Sequence, residues 1–135
     1  REKQNLEYKI EVYDRITPLL SDKTILLGDF NIAHKELDLA RPKQNLKNIM
    51  FTPKEREQID RIISLGFIDS FRNFHKTGEN YTWWPYFANA RKRNLGWRID
   101  YLFVSQKMKN QLKNAFILKE VFGSDHCPIG IELEV

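Results

Sequence analysis

Two hydrophobic periods alternate along these 135 residues, and together they restrict the fold more than any other feature. In TPKEREQIDRIISLGF, residues 52–67, Thr52 and Glu55 stand at capping-box spacing and Pro53 takes the first helical position. Ile59, Ile62 and Ile63 then form one apolar stripe, closed by Gly66, so the segment predicts a helix. A second stripe, Leu6, Ile10, Tyr13, Ile16 and Leu20, predicts an amphipathic helix over 3–17 that Pro18 ends. Around these lie short β-prone runs. KTILLGDF predicts a buried strand closed by Gly28. RIDYLFVS predicts a strand with a short helix starting near Ser105, and AFILKEVF predicts another strand. PIGIELEV alternates Ile129, Ile131, Leu133 and Val135 inward with Gly130, Glu132 and Glu134 outward, the pattern of a half-buried strand. With both periods interleaved, the fold class is α/β or α+β with layered packing, in one domain with a modest core.

A chain that is 41% hydrophobic and 30% charged is globular rather than disordered. No apolar run approaches the roughly 18 residues of a membrane span, and REKQNLEYKIEVYDR has no signal-peptide pattern, so no membrane partner is expected. That charged start, without Met, reads as a cut fragment or a processed chain. The lone Cys127 makes no internal disulfide and suits a reducing, intracellular compartment. Charge is unevenly spread. Residues 41–119 hold 16 Lys/Arg against 6 Asp/Glu, whereas residues 1–40 hold 6 against 8 and residues 120–135 none against 4. That middle block, interleaved with aromatic residues and Asn, is either a polyanion-facing surface or a solvated basic face.

Three polar clusters sit at strand ends, where a rigid sheet can hold reacting groups together. GDFN follows the first strand, RID opens the strand over 99–104, and SDH precedes the last strand. Asp29 and Asn31, two apart, share a face of an extended segment. Such a pair can bind a hard metal ion, activate a water or hydrogen-bond a phosphate, and it is also a common turn. A carboxylate at Asp100, between Ile99 and Tyr101, needs a partner, either Arg98 or Arg72 or a histidine that it orients. His126 needs such an orienter to act as base or charge stabiliser. His34 and His75 lack comparable company and read as surface or turn residues.

LLGDFNIAHKELDLARPKQNLKN, FTPKEREQID, DSFR, YTWWPYFANARKRNLGWRIDYLFVS and GSDHCPI together resemble the exonuclease III-type apurinic/apyrimidinic (AP) endonucleases of the endonuclease–exonuclease–phosphatase superfamily. The resemblance runs from about residue 8 to the end. It implies that residues 1–135 are the C-terminal half of such a domain: half of a four-layer α/β/β/α sandwich with a mixed, mostly antiparallel sheet and helices on one face. It also implies that an N-terminal half is absent, so that the chain pairs with that half or with itself through the open sheet face and is weak or inactive alone.

Residue by residue, the resemblance gives Asp29 the attacking water, Asn31 the scissile phosphate, Asp100 the orientation of His126, and Asp125 an association with metal. Metal contacts are implied for Asp29, Asn31, Asp125 and His126, with Mg²⁺ as the ion and Mn²⁺ as a substitute. Trp83, Trp97 and Ile99 match a pocket for a flipped-out baseless sugar, and Asn45, Asn48, Asn89, Arg91, Lys92 and Arg93 match DNA contacts. The implied activity is hydrolysis 5′ to abasic sites in duplex DNA, with 3′→5′ exonuclease and 3′-phosphodiesterase action on 3′-blocked ends. The implied location is the cytoplasm or nucleoid of a prokaryote, or a eukaryotic nucleus. A non-catalytic fragment that dimerises or binds DNA, and a superfamily phosphatase, are the alternatives.

Overall fold

Thr52 seals the start of the helix predicted over 52–66. Its Oγ1 accepts from the Glu55 amide at 3.4 Å, while Glu55 Oε2 accepts from the Thr52 amide at 3.1 Å. A computed structural model describes residues 2–134. In chain order the elements are α1 (Glu2–Ile16), β1 (Ile25–Asp29), α2 (Pro42–Asn45), α3 (Pro53–Ser64), β2 (Phe67–Asp69), α4 (Ser70–Phe74), β3 (Asp100–Ser105), β4 (Leu112–Ile117) and β5 (Ile129–Leu133). One sheet has the order β1-β3-β2 and the other is the β4-β5 pair, with antiparallel pairing throughout.

The helices α1 and α3 cover one face of the larger sheet. Tyr13 from α1 and Ile59 and Ile62 from α3 pack with Phe30, Phe67, Tyr101 and Phe103 in a single buried cluster. Phe30, one residue past β1, meets Tyr101 and Phe103 edge-on at 5.4 and 5.2 Å, so the residues flanking it are held to the sheet end. Successive strand residues point to opposite faces, so Leu26 and Phe103 face the helices and their neighbours Leu27 and Leu102 face away. That second face is open: Leu27 is 68% exposed, and Leu102, Ile129, Ile131 and Leu133 are only half-buried.

Beneath the sheet end lies an ion cluster. Arg98, 1% exposed, donates from Nε to Asp38 at 2.8 Å and grips Asp69 with both terminal nitrogens at 3.1 and 2.6 Å, while Arg72 also donates to Asp38. Burial alone would raise the pKa of Asp38, but the two guanidinium groups more than offset it and hold the carboxyl below its usual range. The cluster fastens the 36–39 turn, the start of α4 and the segment entering β3 to one another.

Several boundaries differ from expectation. Pro18 falls inside a 3₁₀ turn, Thr17–Leu19, and a second 3₁₀ turn, Gln106–Gln111, takes the place of the short helix. The strand expected over 115–122 is shifted back to Leu112–Ile117. There the chain turns, with the Leu118 amide bonded to Pro128 O and the Val121 amide to Leu118 O, because the charged LKE segment has no strand partner. In β5 the Ile129, Ile131 and Leu133 side is half-buried as expected, but Gly130 is not simply outward. An added Cβ there would come 2.4 Å from the Phe116 ring. Val135 lies outside the described residues.

His34 is not at the surface but 6% exposed, its amide donating to Tyr101 Oη and its ring 2.6 Å from Asp60. Burial pushes its pKa below the ordinary 6.5 despite that carboxylate. His75 is exposed, stacked on Phe71 at 4.3 Å.

Candidate active site

Strand register brings the first two acids together. Asp29, the last residue of β1, pairs directly across the ladder with Asp100, the first residue of β3. Just beyond, Asn31 takes a left-handed φ of 51°, which Asn tolerates better than most residues. Its amide and side-chain Nδ2 donate to the two carboxylate oxygens of Asp29 at 2.8 and 3.0 Å. Asn31 Nδ2 carries two hydrogens, so one N–H remains for another acceptor.

The third group arrives from the other sheet. Thr82 is fully buried, and its Oγ1 accepts from the amides of Ile99 and Asp100 at 3.0 and 3.1 Å. Its carbonyl accepts from the Cys127 amide at 2.8 Å, and the Trp84 amide donates to Asp125 O at 3.0 Å. This short ladder lays the SDH segment alongside Trp83 and places His126 Nδ1 2.9 Å from Asp100 Oδ2. An ionised carboxylate only accepts, so Nδ1 carries the proton and Nε2 points away from Asp100. Burial raises the pKa of Asp100 and the nearby charge of Asp29 adds to this, while hydrogen bonds from Thr82 and His126 oppose it. Of the partners weighed for Asp100, the histidine is therefore the observed one; Arg98 is committed to Asp38 and Asp69, and Arg72 to Asp38.

Asp29, Asp100 and His126 each offer a ligand atom, all within 4.8 Å of one another. Two hard oxygen donors and one imidazole at that spacing fit a divalent cation. The set differs from the expected metal contacts. Asp100 joins it, and Asp125 stands beside it, accepting from Trp83 Nε1 at 3.0 Å. That indole hydrogen bond is the main reason the Asp125 pKa lies below its usual value.

The remaining site residues fall into two groups. Trp83 and Trp97 pair as strand neighbours and pack on a buried cluster of Ala33, Leu39, Phe51 and Ile99. Ile99 is 1% exposed, so it backs this apolar wall while the two half-buried tryptophans form its surface. Trp84 is core, at 3% exposed. Asn48 Nδ2 donates to Asn45 Oδ1 at 2.7 Å, and Asn48 O accepts from the amide of Phe51, a member of the same buried cluster. Asn89, Lys92 and Arg93 are exposed on the loop over 86–95, whereas the Arg91 guanidinium is turned into the protein.

Sequence reasoning passed over Thr82, Asp38 and Lys9, and it weighed Arg98 only as a partner of Asp100. The argument used for Asp100, that a charge in an apolar segment needs a partner, applies equally to Arg98 in WRID, whose partners are Asp38 and Asp69. Nothing local marks Thr82 or Lys9, since both act through residues distant in the chain.

The double-sheet α/β framework thus gathers Asp29, Asn31, Asp100 and His126 at adjoining strand ends. The profile of the Endonuclease/Exonuclease/phosphatase family matches residues 2–126, and the chain belongs to that family. It is 48% identical over 112 residues to an exodeoxyribonuclease of Bacillus subtilis, covering 82% of this chain and 44% of the relative. It is 39% identical over 140 residues to a DNA-(apurinic or apyrimidinic site) endonuclease of Dictyostelium discoideum, covering 98% and 39%. The fold superposes on an AP endonuclease from Archaeoglobus fulgidus with TM-score 0.87 at 23% identity, over 99% of this chain and 55% of that one. For a 3′-5′ exonuclease from Neisseria meningitidis the TM-score is 0.80 at 34% identity, over 95% and 51%. The chain thus spans less than half the length of these curated relatives.

Proposed function

We propose that this chain carries the phosphodiester-cleaving face of a metal-dependent DNA repair nuclease that incises duplex DNA 5′ to abasic sites and trims 3′ ends. The observation that carries this reading is the Asp29–Asp100–His126 cluster standing next to the Trp83–Trp97 wall. A reacting phosphate and a base-free sugar are separate recognition problems, and one strand end offers a surface for each. An abasic site has no base edge to read and costs little to unstack, so an aromatic wall that fits bare deoxyribose selects it by shape.

The carboxylates of Asp29 and Asp100 would hold Mg²⁺, or Mn²⁺ in its place, beside His126. The ion, when bound, supplies Lewis-acid compensation for charge on the phosphoryl oxygens. In the proposed reaction Asp29 accepts a hydrogen bond from the attacking water and aims it at phosphorus. The free N–H of Asn31 donates to a non-bridging oxygen. His126, fixed through Nδ1 by Asp100, presents Nε2 to the same phosphate and in its protonated form donates there. A bond forms from the water oxygen to phosphorus as Asp29 takes a proton from that water, the bond to the 3′-oxygen breaks, and that oxygen takes a proton from solvent and leaves as a hydroxyl. Asn45, Asn48, Asn89, Lys92 and Arg93 contribute contacts to the flanking backbone. The apolar face around Leu27 and Leu102, with the groove of about 420 Å³ between α1 and β1, is covered by a segment equivalent to the rest of the longer relatives.

The test is incision of a duplex carrying one tetrahydrofuran lesion by the intact protein, with Mg²⁺ and with EDTA. A single nick 5′ to the lesion that EDTA abolishes is the expected result. Binding without a nick in either Mg²⁺ or Mn²⁺ would leave a DNA-binding module and sink the nuclease reading.

A further inference from the structure

The guanidinium of Arg91 makes no use of its charge at the surface. NH1 donates to Ser124 O at 2.9 Å, and NH2 donates to Lys119 O and Val121 O at 2.8 and 2.6 Å. The planar group lies between two rings, 4.7 Å from the Trp84 centroid and 4.4 Å from that of Phe122. Its Nε is buried and has no partner among the described residues. All three carbonyls belong to the turn joining β4 to β5. Within residues 119–124 that turn has one backbone hydrogen bond of its own among those outside helices and strands, Val121 N to Leu118 O. The turn also carries Gly123 at a φ of 123°, which other residues rarely adopt. Arg91 is thus its main polar tether.

From this geometry we propose that Arg91 is a positioning residue for His126, acting through the 119–124 turn and Trp84, and not a contact to DNA phosphate. The inference rests on the reading of His126 as a group that meets the phosphate. Ser124, whose carbonyl Arg91 holds, accepts the His126 amide on its Oγ at 3.1 Å and lies 3.2 Å from Asp125 Oδ1. Trp84, on which the guanidinium stacks, donates its amide to Asp125 O. Arg91 therefore supports the two residues that precede the histidine, Ser124 and Asp125, from a position 33 residues before Ser124 in sequence. A lysine keeps the charge but has neither the planar stack nor the fork that reaches three carbonyls, so charge and position can be separated by one substitution.

The experiment compares Arg91→Lys, Phe122→Ala and Lys92→Ala in the intact protein. It reads single-turnover incision at saturating DNA, the salt dependence of binding, and the ¹⁵N-edited signal of the His126 Nδ1–H proton. Arg91→Lys is expected to lower the saturated rate about tenfold, leave the salt slope unchanged and shift or broaden the His126 signal. Phe122→Ala, which removes one stacking ring, should do the same more weakly, and it decides the matter by the same readouts if Arg91→Lys does not fold. Lys92→Ala should flatten the salt slope by about one unit and leave the His126 signal in place. A parental rate and an unmoved His126 signal in Arg91→Lys would overturn the proposal. If the parent itself does not incise, the nuclease reading fails, and the His126 signal still decides the role of Arg91.

Discussion

The ammonium of Lys9 lies 2.9 Å from the carbonyl oxygen of Asn31 and 2.7 Å from Glu55 Oε1. Glu55 is fully buried and also accepts from the amides of Met50 and Thr52 and from Thr52 Oγ1. One carboxylate thereby caps α3, fixes the turn before it and anchors the lysine that steadies the left-handed Asn31. Lys9→Met should cost about 1–3 kcal/mol by leaving a buried charge without its counter-ion. In urea unfolding, the double variant Lys9→Met/Glu55→Gln should lose less than the sum of the single losses, and strict additivity would show that the pair does not act as one unit.

Asp29→Ala and His126→Ala are each expected to reduce single-turnover incision by roughly 10²–10³-fold, the usual worth of one transition-state donor at about 2.7–4 kcal/mol. Affinity for abasic DNA should change far less. A variant within about threefold of the parent would strike that residue from the reacting group.

Trp97 and Lys92 should separate shape from charge. Trp97→Ala is expected to reduce the preference for abasic over intact duplex, because a wider wall no longer favours a bare sugar. Reversing the charge at Lys92 should weaken both duplexes alike and flatten the salt slope by about one unit. Competition between the two duplexes at two salt concentrations measures both, and the opposite pattern would make the tryptophan a packing residue.

Gly96 has a steric role. A Cβ there would lie 2.4 Å from Trp84 Nε1 and 2.8 Å from the carbonyl oxygen of Trp83. Gly96→Ala should therefore destabilise the fold by about 1–3 kcal/mol and displace the Trp84 indole, which donates to Asn94 Oδ1 and stacks with Arg91. Equilibrium denaturation checks the first effect, and an unchanged midpoint would mean the backbone gives way more easily than the contacts imply.

Burial pushes the Cys127 thiol up to about 11 from its ordinary 9.0, with Arg91 opposing and Asp100 adding to the shift. The folded thiol holds its proton to higher pH than the unfolded one. Its contribution to stability is therefore complete below about pH 9 and is lost as pH rises through 11. Alkylation at pH 8 should be slow in the folded protein and fast in denaturant, and Cys127→Ala should remove this part of the alkaline decline. Rapid labelling of the native state would contradict it.

Much of the site was legible because it follows from short-range rules. Asp29 and Asn31 do meet, though through a left-handed turn at Asn31 and not through the extended geometry expected, and Asp100 demanded a partner because an apolar strand surrounds it. The start of α3 was readable down to the reciprocal Thr52–Glu55 bonds. What escaped depends on tertiary contact. Glu55 reads as a cap residue, yet half of its hydrogen bonding goes to Lys9 and Met50. Arg91 reads as one more cation in a basic run, and only the fold shows its three carbonyl partners. The end of β4 was misplaced for a similar reason: AFILKEVF has strand composition, but pairing ends with the Leu118 amide on Pro128 O, and residues 119–122 show no ladder bond among the described residues.

Because Asp29 and Asp100 meet as a ladder pair, their separation is set by backbone hydrogen bonding rather than by either side chain's neighbours. A slip of one residue would send both carboxylates to opposite faces, so insertions within β1 or β3 are intolerable to the chemistry. The segment 41–48 and, apart from the Arg91 tether, the loop over 86–95 carry no such register constraint. A lineage built on this arrangement can lengthen or rewrite those loops and acquire new substrates while its hydrolytic centre stays where the strands put it.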